Sequence, residues 1–587
     1  MASTTNTILT GFAASSYYHY QVTLTDVAGN TRTSGDNIQR TASVINGGNI
    51  NVDTTWTAAE SPYLLKGNIR VMPGKTLTIE AGATILIGGN YYIKVSGTIQ
   101  AIGNLSSPII LKPADAVNDI VAKWVGIKID STSTTTLDGS NNYVSGSTIQ
   151  YATIRNASTG IYIWNTGFFG SNLDLSYNQA AIELRKTNGV SFKQSSFTHN
   201  NYAIYTEYEV YSGDAYGEIQ NLFIDGNTLS NNVSGIYINI NQRNLTNAYI
   251  TNNQFYSNTS NAVQIGGGGY GLHANGIYIE KNYFKGNAVS IDIDRLYSSI
   301  LSPWSITVGQ NVIISNTGNW LYLGHTQGAT NALFQKNVIA DSSGWFLSNM
   351  ASAGISFESN SVTNVEGAIA LSPSYYAYAP SNWTIQHNTF DGLAGESLKA
   401  LQWGSGYIFS DNNILNESGQ YIITDTLPSA NGINAQFNYW GQETTSQLLA
   451  NSNPTKIFDG NDNVDYSIVD TFNYSTTPLT TPPISRPKNV VLTPSSNDVS
   501  LSWSANPEAN VGGYRIYWGT TSGFPYANVL DVGSVHNYTI SNPGTDMRYF
   551  AVTAYKNTYS ESNDIGTTFI NENQTNGEES WFSEVSR

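Results

Sequence analysis

Asp292 and Asp294 stand two residues apart in the alternating stretch Val289-Ser290-Ile291-Asp292-Ile293-Asp294. On a strand that spacing turns both carboxyls to one side, about 6.5 to 7 Å apart along the chain. Two carboxyls so placed can act as the acid and base of an inverting glycoside hydrolase, can share a calcium ion, or can stand solvated beside Arg295. Glu207, at the end of a comparable stretch, completes the catalytic candidates. A second set, Asp459, Asn461, Asp462 and Asp465, offers oxygen ligands suited to calcium and equally suited to a polar turn. A third set is aromatic and polar: Tyr162, Trp164, Arg185, Tyr205, Tyr237 and Asn239. Rings flanked by hydrogen-bonding groups suit the faces of sugars, although Tyr is also simply a good strand residue.

Composition narrows the chemistry. The 42 acidic residues outweigh 26 basic ones, giving a formal charge of -16, and the Lys and Arg form no sequence cluster that would neutralise a phosphate backbone. Nucleic acid is therefore not an expected partner. Cysteine is absent, which removes a disulfide framework, a thiolate metal site and a Cys nucleophile. His19, His199, His273, His325, His387 and His536 are scattered without zinc spacing. No run approaches about 18 apolar residues, so no membrane span is expected, and Met1 to Thr10 lack the pattern of a signal peptide.

The candidates are positioned by a repeat. An apolar residue, two polar positions, Asn, one variable position and another apolar residue recur as Ile224/Asn227/Leu229, Ile250/Asn253/Phe255, Ile279/Asn282/Phe284, Val308/Asn311/Ile313, Phe334/Asn337/Ile339, Phe357/Asn360/Val362, Ile385/Asn388/Phe390 and Phe409/Asn412/Ile414. The Asn residues fall 23 to 29 positions apart, a solenoid period with one coil per repeat. At a corner, Asn tolerates a left-handed backbone, and its amide can bond to the Asn of the next coil.

Between the corners a second strand recurs, as in Gly160-Ile161-Tyr162-Ile163-Trp164, Ala181-Ile182-Glu183-Leu184-Arg185, Ala203-Ile204-Tyr205-Thr206-Glu207 and Gly235-Ile236-Tyr237-Ile238-Asn239. Alternation sends its aliphatic members inward and leaves two outward columns. One carries Trp164, Arg185, Glu207, Asn239, Gly266 and Asp292; the other carries Tyr162, Glu183, Tyr205, Tyr237, Gln264 and Ser290. Stacking brings Arg185 to roughly 4.8 Å from Glu207, as a surface charge ladder would, and leaves Glu207 on the order of 14 Å from Asp292. Insertions at Tyr208 to Tyr216, at Gly266 to His273 and at Tyr375 to Tyr378 lengthen their coils.

The ends carry a resemblance. Thr55-Trp56-Thr57, Gly74-Lys75-Thr76-Leu77-Thr78-Ile79-Glu80-Ala81-Gly82, Gly97-Thr98-Ile99-Gln100 and Trp124-Val125-Gly126-Ile127-Lys128 resemble the opening coils of bacterial surface β-helix proteins, and Asn438-Tyr439-Trp440-Gly441 resembles their closing segment. Val499-Ser500-Leu501-Ser502-Trp503, Gly513-Tyr514-Arg515-Ile516-Tyr517-Trp518 and Arg548 to Tyr555 resemble three strands of a fibronectin type III module. Leu9 to Phe12 with Tyr18 to Leu24 resembles the second half of another. The resemblance implies an all-β chain of the pectate-lyase-like superfold: a right-handed parallel β-helix at 46–475, a linker at 476–487 and a fibronectin type III β-sandwich at 488–570. An incomplete sandwich at 1–45, for which upstream sequence is expected, and a polar, mobile tail at 571–587 complete the domain reading.

Such architecture hosts lyases, hydrolases, epimerases, adhesins and tailspikes. The paired Asp, His-Gly and Arg-x-Lys segments of polygalacturonases are absent, as are the Asp-Pro-His of alginate epimerases and the Arg-x-Pro-x-x-Arg of pectate lyases. The expectation is a secreted or cell-surface structural or adhesive protein that binds polysaccharide or cell-surface glycan or associates with itself. It requires no cofactor, and calcium is the ion its oxygen clusters suit. The alternatives are a polysaccharide lyase or glycoside hydrolase near Glu207 and Asp292, and a filament-forming subunit completed by strand addition.

Overall fold

The computed structural model describes residues 11–132, 135–206, 217–240, 244–266, 274–294, 304–324, 328–348, 352–371, 381–400, 405–415, 419–427, 432–459, 469–558 and 569–587. The chain divides into two compact units, residues 1–207 and 208–587.

In the first unit, Tyr17–Tyr20 pairs antiparallel with Asn37–Arg40, and Thr23–Thr25 with Thr31–Thr33. Leu24 and Ile38 are 69% and 59% exposed, so these strands bury no core of their own. The coils begin with Ser43–Ile45, Gly48–Ile50 and Thr54–Trp56. Tyr63–Leu65, Ile69–Val71 and Thr76–Ile79 pair in parallel with those three. Repetition of this course builds three parallel sheets, named first, second and third in the order a coil traverses them, which wind as a right-handed β-helix.

Alternation explains the register. On the second sheet Ile69, Ile93, Ile127, Ile161, Ile182 and Ile204 lie directly opposite one another on successive strands, all buried. Burying a side chain of this size contributes roughly 1.5 to 3 kcal/mol, and a one-residue slip would turn the whole stack outward. Gly126 sits at φ +120°, with a register shift between it and Ile127. A β-carbon there would lie 1.6 Å from the Thr159 carbonyl oxygen, so only glycine lets the two strands approach.

The second unit repeats the three-strand coil from Ile219–Asp225 to Val469–Asp470, with helix Gly441–Leu449 near its end. The Asn ladder is present from Asn227 through Asn253, Asn282, Asn311, Asn337, Asn360, Asn388 and Asn412 to Asn438. Each Nδ2 donates to the next Oδ1 at 2.9–3.1 Å. The expected reason for Asn at this corner needs correcting. The left-handed conformation belongs to the residue before each ladder Asn, among them Asn252, Lys281, Gln310, Lys336, Ser359, His387 and Asp411. Asn is required for its amide instead: Asn311, for example, also donates Nδ2 to the Ile279 carbonyl at 2.8 Å and its own N–H to Asn337 Oδ1 at 3.0 Å. A second ladder, Asn232, Asn258, Asn287, Asn316 and Ser342, runs parallel to the first.

The C-terminal part of this unit is a β-sandwich. Lys488–Ser495, Asp498–Ser504 and Asn537–Ile540 form one sheet; Asn528–Gly533, Val511–Gly519, Tyr549–Lys556 and Ser583–Ser586 form the other. Trp503, Tyr514, Ile516, Phe550 and Val552 pack between them. The stretch 571–587, expected to be a mobile polar tail, is folded. Asn571 caps helix Glu572–Thr575, accepting from the Asn573 N–H, and Ser583–Ser586 pairs antiparallel with Tyr549–Lys556. Trp581 and Phe582 are buried with Tyr517 and Phe524 against Tyr283, Val312, Ile314 and Val338 of the β-helix. Ion pairs Lys488–Asp391 at 2.7 Å and Lys281–Glu572 at 2.7 Å flank that contact.

Candidate functional site

In the first unit the outward row of the second sheet runs Arg70, Lys94, Lys128, Tyr162, Glu183, Tyr205, each directly opposite the next on a parallel strand. Two residues further along the strands, Trp164 stands opposite Arg185. Trp164 is 40% exposed, a large apolar ring left in solvent where alternation already points it outward. Tyr162, Arg185 and Tyr205 are half-buried beside it, and the Tyr205 ring lies 4.6 Å from that of Tyr202. Glu183 accepts from Thr159 Oγ1 at 3.0 Å. This part of the expected platform is therefore brought together as its spacing implies. Glu207 lies outside the described residues, as do Tyr208 to Tyr216.

In the second unit the corresponding row is Tyr237, Gln264, Asp292, Tyr322. Asp292 is 9% exposed. Its Oδ2 accepts from Gln264 Nε2 at 3.0 Å and from Asn261 Nδ2 at 2.9 Å, while its Oδ1 is buried without a hydrogen-bond partner among the described residues. Burial, reinforced by the negative charge of Asp294, pushes the carboxyl up to about 7, with the Asn261 bond working in the opposite direction. Asp294 lies opposite Gly266 and is half-buried. Gly324 makes room for it, since a β-carbon there would meet Asp294 Oδ1. The hydroxyl of Ser290, two residues before Asp292, is buried and also lacks a hydrogen-bond partner among the described residues.

The expected columns need correcting here: Asp292 stands opposite Gln264 and Asp294 opposite Gly266, because Val263 pairs with Ile291 and shifts the strand by two residues. Ser290 is buried rather than outward; Asp292 is enclosed and Asp294 more open. Asn239 is 5% exposed and donates to the Tyr237 hydroxyl at 3.4 Å, so it supports that ring from below the surface. Sequence reasoning passed over Asn261 and Tyr322. Asn261 opens the strand next to Asp292, and Tyr322 follows Asp292 in the outward row; the row's periodicity was the available signal.

Asp459 ends strand Ile457–Asp459, with its backbone opposite Asp425. Asn461, Asp462 and Asp465 lie outside the described residues, as do Gly267 to His273, Arg295 and Tyr375 to Tyr378. Among the described residues no three His, Asp or Glu side chains converge as a metal site would require. No helix among them is long and apolar enough to cross a membrane.

No protein-family model matches the chain. A curated relative, protein bark beetle of Drosophila melanogaster, is 45% identical over 67 residues, and the match spans 11% of this chain and 2% of that protein's length. Among solved structures, the family 28 exopolygalacturonase of Yersinia enterocolitica is 12% identical with a TM-score of 0.26, covering 66% of this chain and 82% of its own. The tailspike of Escherichia coli bacteriophage HK620 is 10% identical at TM-score 0.31, covering 88% and 85%. PfbA, a surface adhesin of Streptococcus pneumoniae, is 15% identical at TM-score 0.24, covering 65% and 84%.

Proposed function

We propose that the protein is an extracellular β-helix scaffold that binds polysaccharide along the outward rows of its second sheet, with the C-terminal sandwich acting as a fibronectin type III spacer. The observation that carries this reading is the exposed ring of Trp164, held on a rigid strand beside Tyr162 and Arg185. A sugar face stacks on such a ring while neighbouring phenol and guanidinium groups bond its hydroxyls, and a rigid platform loses little entropy on binding.

The second reading, a polysaccharide lyase or glycoside hydrolase, is favoured by Asp292. Its carboxyl is poised near neutrality, retains a buried oxygen without a described partner and has a second carboxylate nearby, the combination expected of a general acid. A screen of uronate-containing and neutral polysaccharides, with and without calcium, separates the two readings when retention, unsaturated products and new reducing ends are followed together. Retention without product supports the scaffold. Product abolished by Asp292→Asn replaces it with the enzyme, and neither retention nor product on any substrate sinks both.

A further inference from the structure

Half of the 26 Lys and Arg lie in residues 1–207, together with fewer than a third of the 42 Asp and Glu, so the net charge of -16 belongs to the rest of the chain. On the second sheet of this first unit, the register gathers three of those cations. Arg70 stands directly opposite Lys94, and Lys94 directly opposite Lys128, on three successive parallel strands. Neighbouring strands lie about 4.8 Å apart, and like charges directly opposite one another destabilise a sheet.

The fold does not require charge at these positions. In neighbouring coils, the outward row of the third sheet is Thr55, Thr78 and Gln100, all neutral. The charge is cancelled locally only in part. Lys94 is paired with Asp130 at 2.8 Å, whereas Arg70 and Lys128 have no ion-pair partner among the described residues. Both instead meet one ring. Arg70 donates Nε and Nη2 to the Tyr92 hydroxyl at 3.3 and 3.1 Å, with its guanidinium carbon 6.0 Å from the ring centroid, and Lys128 Nζ lies 5.9 Å from that centroid. Tyr92 thus holds apart two cations that would otherwise repel.

We propose that Arg70, Lys94 and Lys128 form a binding track for an anionic polysaccharide whose carboxylate or sulfate groups recur at about the strand spacing, ~4.8 Å. This inference rests on the reading of Tyr162 and Trp164 as a sugar platform, because the cationic row continues strand by strand into that platform. A linear polymer crossing the strands places its anions on Arg70 and Lys128 and its ring faces on Tyr162 and Trp164. The track is one side chain wide and closed by Glu183 beyond Tyr162, which fits a single thin chain; a duplex or a lipid surface needs a broad basic face.

The test is affinity electrophoresis of the full chain through polygalacturonate, dextran sulfate and neutral polysaccharides, at about 50 and 200 mM salt. Wild type, the double variant Arg70→Gln/Lys128→Gln and Trp164→Ala are run side by side. The expected result is polyanion retention that weakens with salt and falls at least tenfold in the double variant, with neutral-glycan retention unchanged. The two polyanions distinguish uronate from sulfate. Thermal midpoints of all three proteins, measured in parallel, separate lost binding from lost fold. Polyanion retention unchanged in the double variant overturns the inference, as does equally tight binding of duplex DNA or anionic vesicles. Neutral-glycan binding that depends on Trp164, without polyanion binding, overturns the track but leaves the platform standing. Polyanion binding lost in the double variant but indifferent to Trp164→Ala leaves the track standing and removes the platform.

Discussion

Gln264 and Asp292 stand opposite one another on adjacent strands, and the Gln264 amide nitrogen donates to Asp292 Oδ2 at 3.0 Å. The bond is made to an oxygen of a carboxyl that burial has pushed up to about 7. Two amide donors are too few to offset the loss of water around a charged carboxylate, and Asp294 adds repulsion.

Asp292 therefore makes stability depend on pH. Its folded pKa is raised, so its contribution is fully present below the unfolded value near 4 and is lost as pH rises through about 7. Asp292→Asn removes that titration and is expected to be more stable than wild type at pH 8 by roughly 2 to 4 kcal/mol, with the difference shrinking towards pH 4. Thermal midpoints of both proteins from pH 4 to 8 check this. A difference independent of pH would show that the carboxyl does not titrate in this window.

The Asn ladder predicts a larger and pH-independent loss. Asn311→Ala removes the Nδ2 bonds to Asn337 Oδ1 and to the Ile279 carbonyl, strands the N–H of Asn282 inside the coil and leaves Asn282 Nδ2 with the Ile250 carbonyl alone. Orphaned buried groups cost about 1 to 3 kcal/mol each, so denaturant unfolding of the second unit should shift by about 4 kcal/mol. Asn311→Asp is expected to be no better, since it cannot donate to Ile279.

Gly126→Ala tests the backbone argument in the first unit. The alanine β-carbon would collide with the Thr159 carbonyl, and the residue would have to hold φ +120°. The expected outcome is a loss of about 3 kcal/mol or more, read as a lower thermal midpoint; an unchanged midpoint would mean that the strands separate there without cost.

How far the fold was legible follows from these particulars. The Asn227-to-Asn412 period and the aliphatic alternation around Ile161 and Ile182 identify the coil and which residues face inward, because both are strict one-dimensional patterns that stacking must respect. The second ladder was equally legible: Asn232, Asn258, Asn287 and Asn316 each follow a first-ladder Asn at the same offset. The folding of 571–587 was not, because Trp581 and Phe582 are isolated apolar residues among polar ones. Their burial depends on Val312 and Ile314, far away in sequence. For the site, periodicity gives outward rows on the second sheet, but not that Asp292 stands opposite Gln264 rather than Gly266, nor that Asp292 is enclosed while Trp164 is open, which depends on what the neighbouring strands place against each.

Polysaccharide binding by the outward row around Trp164 is the proposed activity. Its most direct test is a polysaccharide array probed with wild type and Trp164→Ala at equal concentration, with thermal midpoints measured in parallel. The expected result is binding of at least one polysaccharide by wild type and a loss of tenfold or more in Trp164→Ala, about 1.4 kcal/mol or more of binding energy, with the midpoint unchanged. Binding that Trp164→Ala leaves intact, or a wild type that binds no polysaccharide, would contradict it.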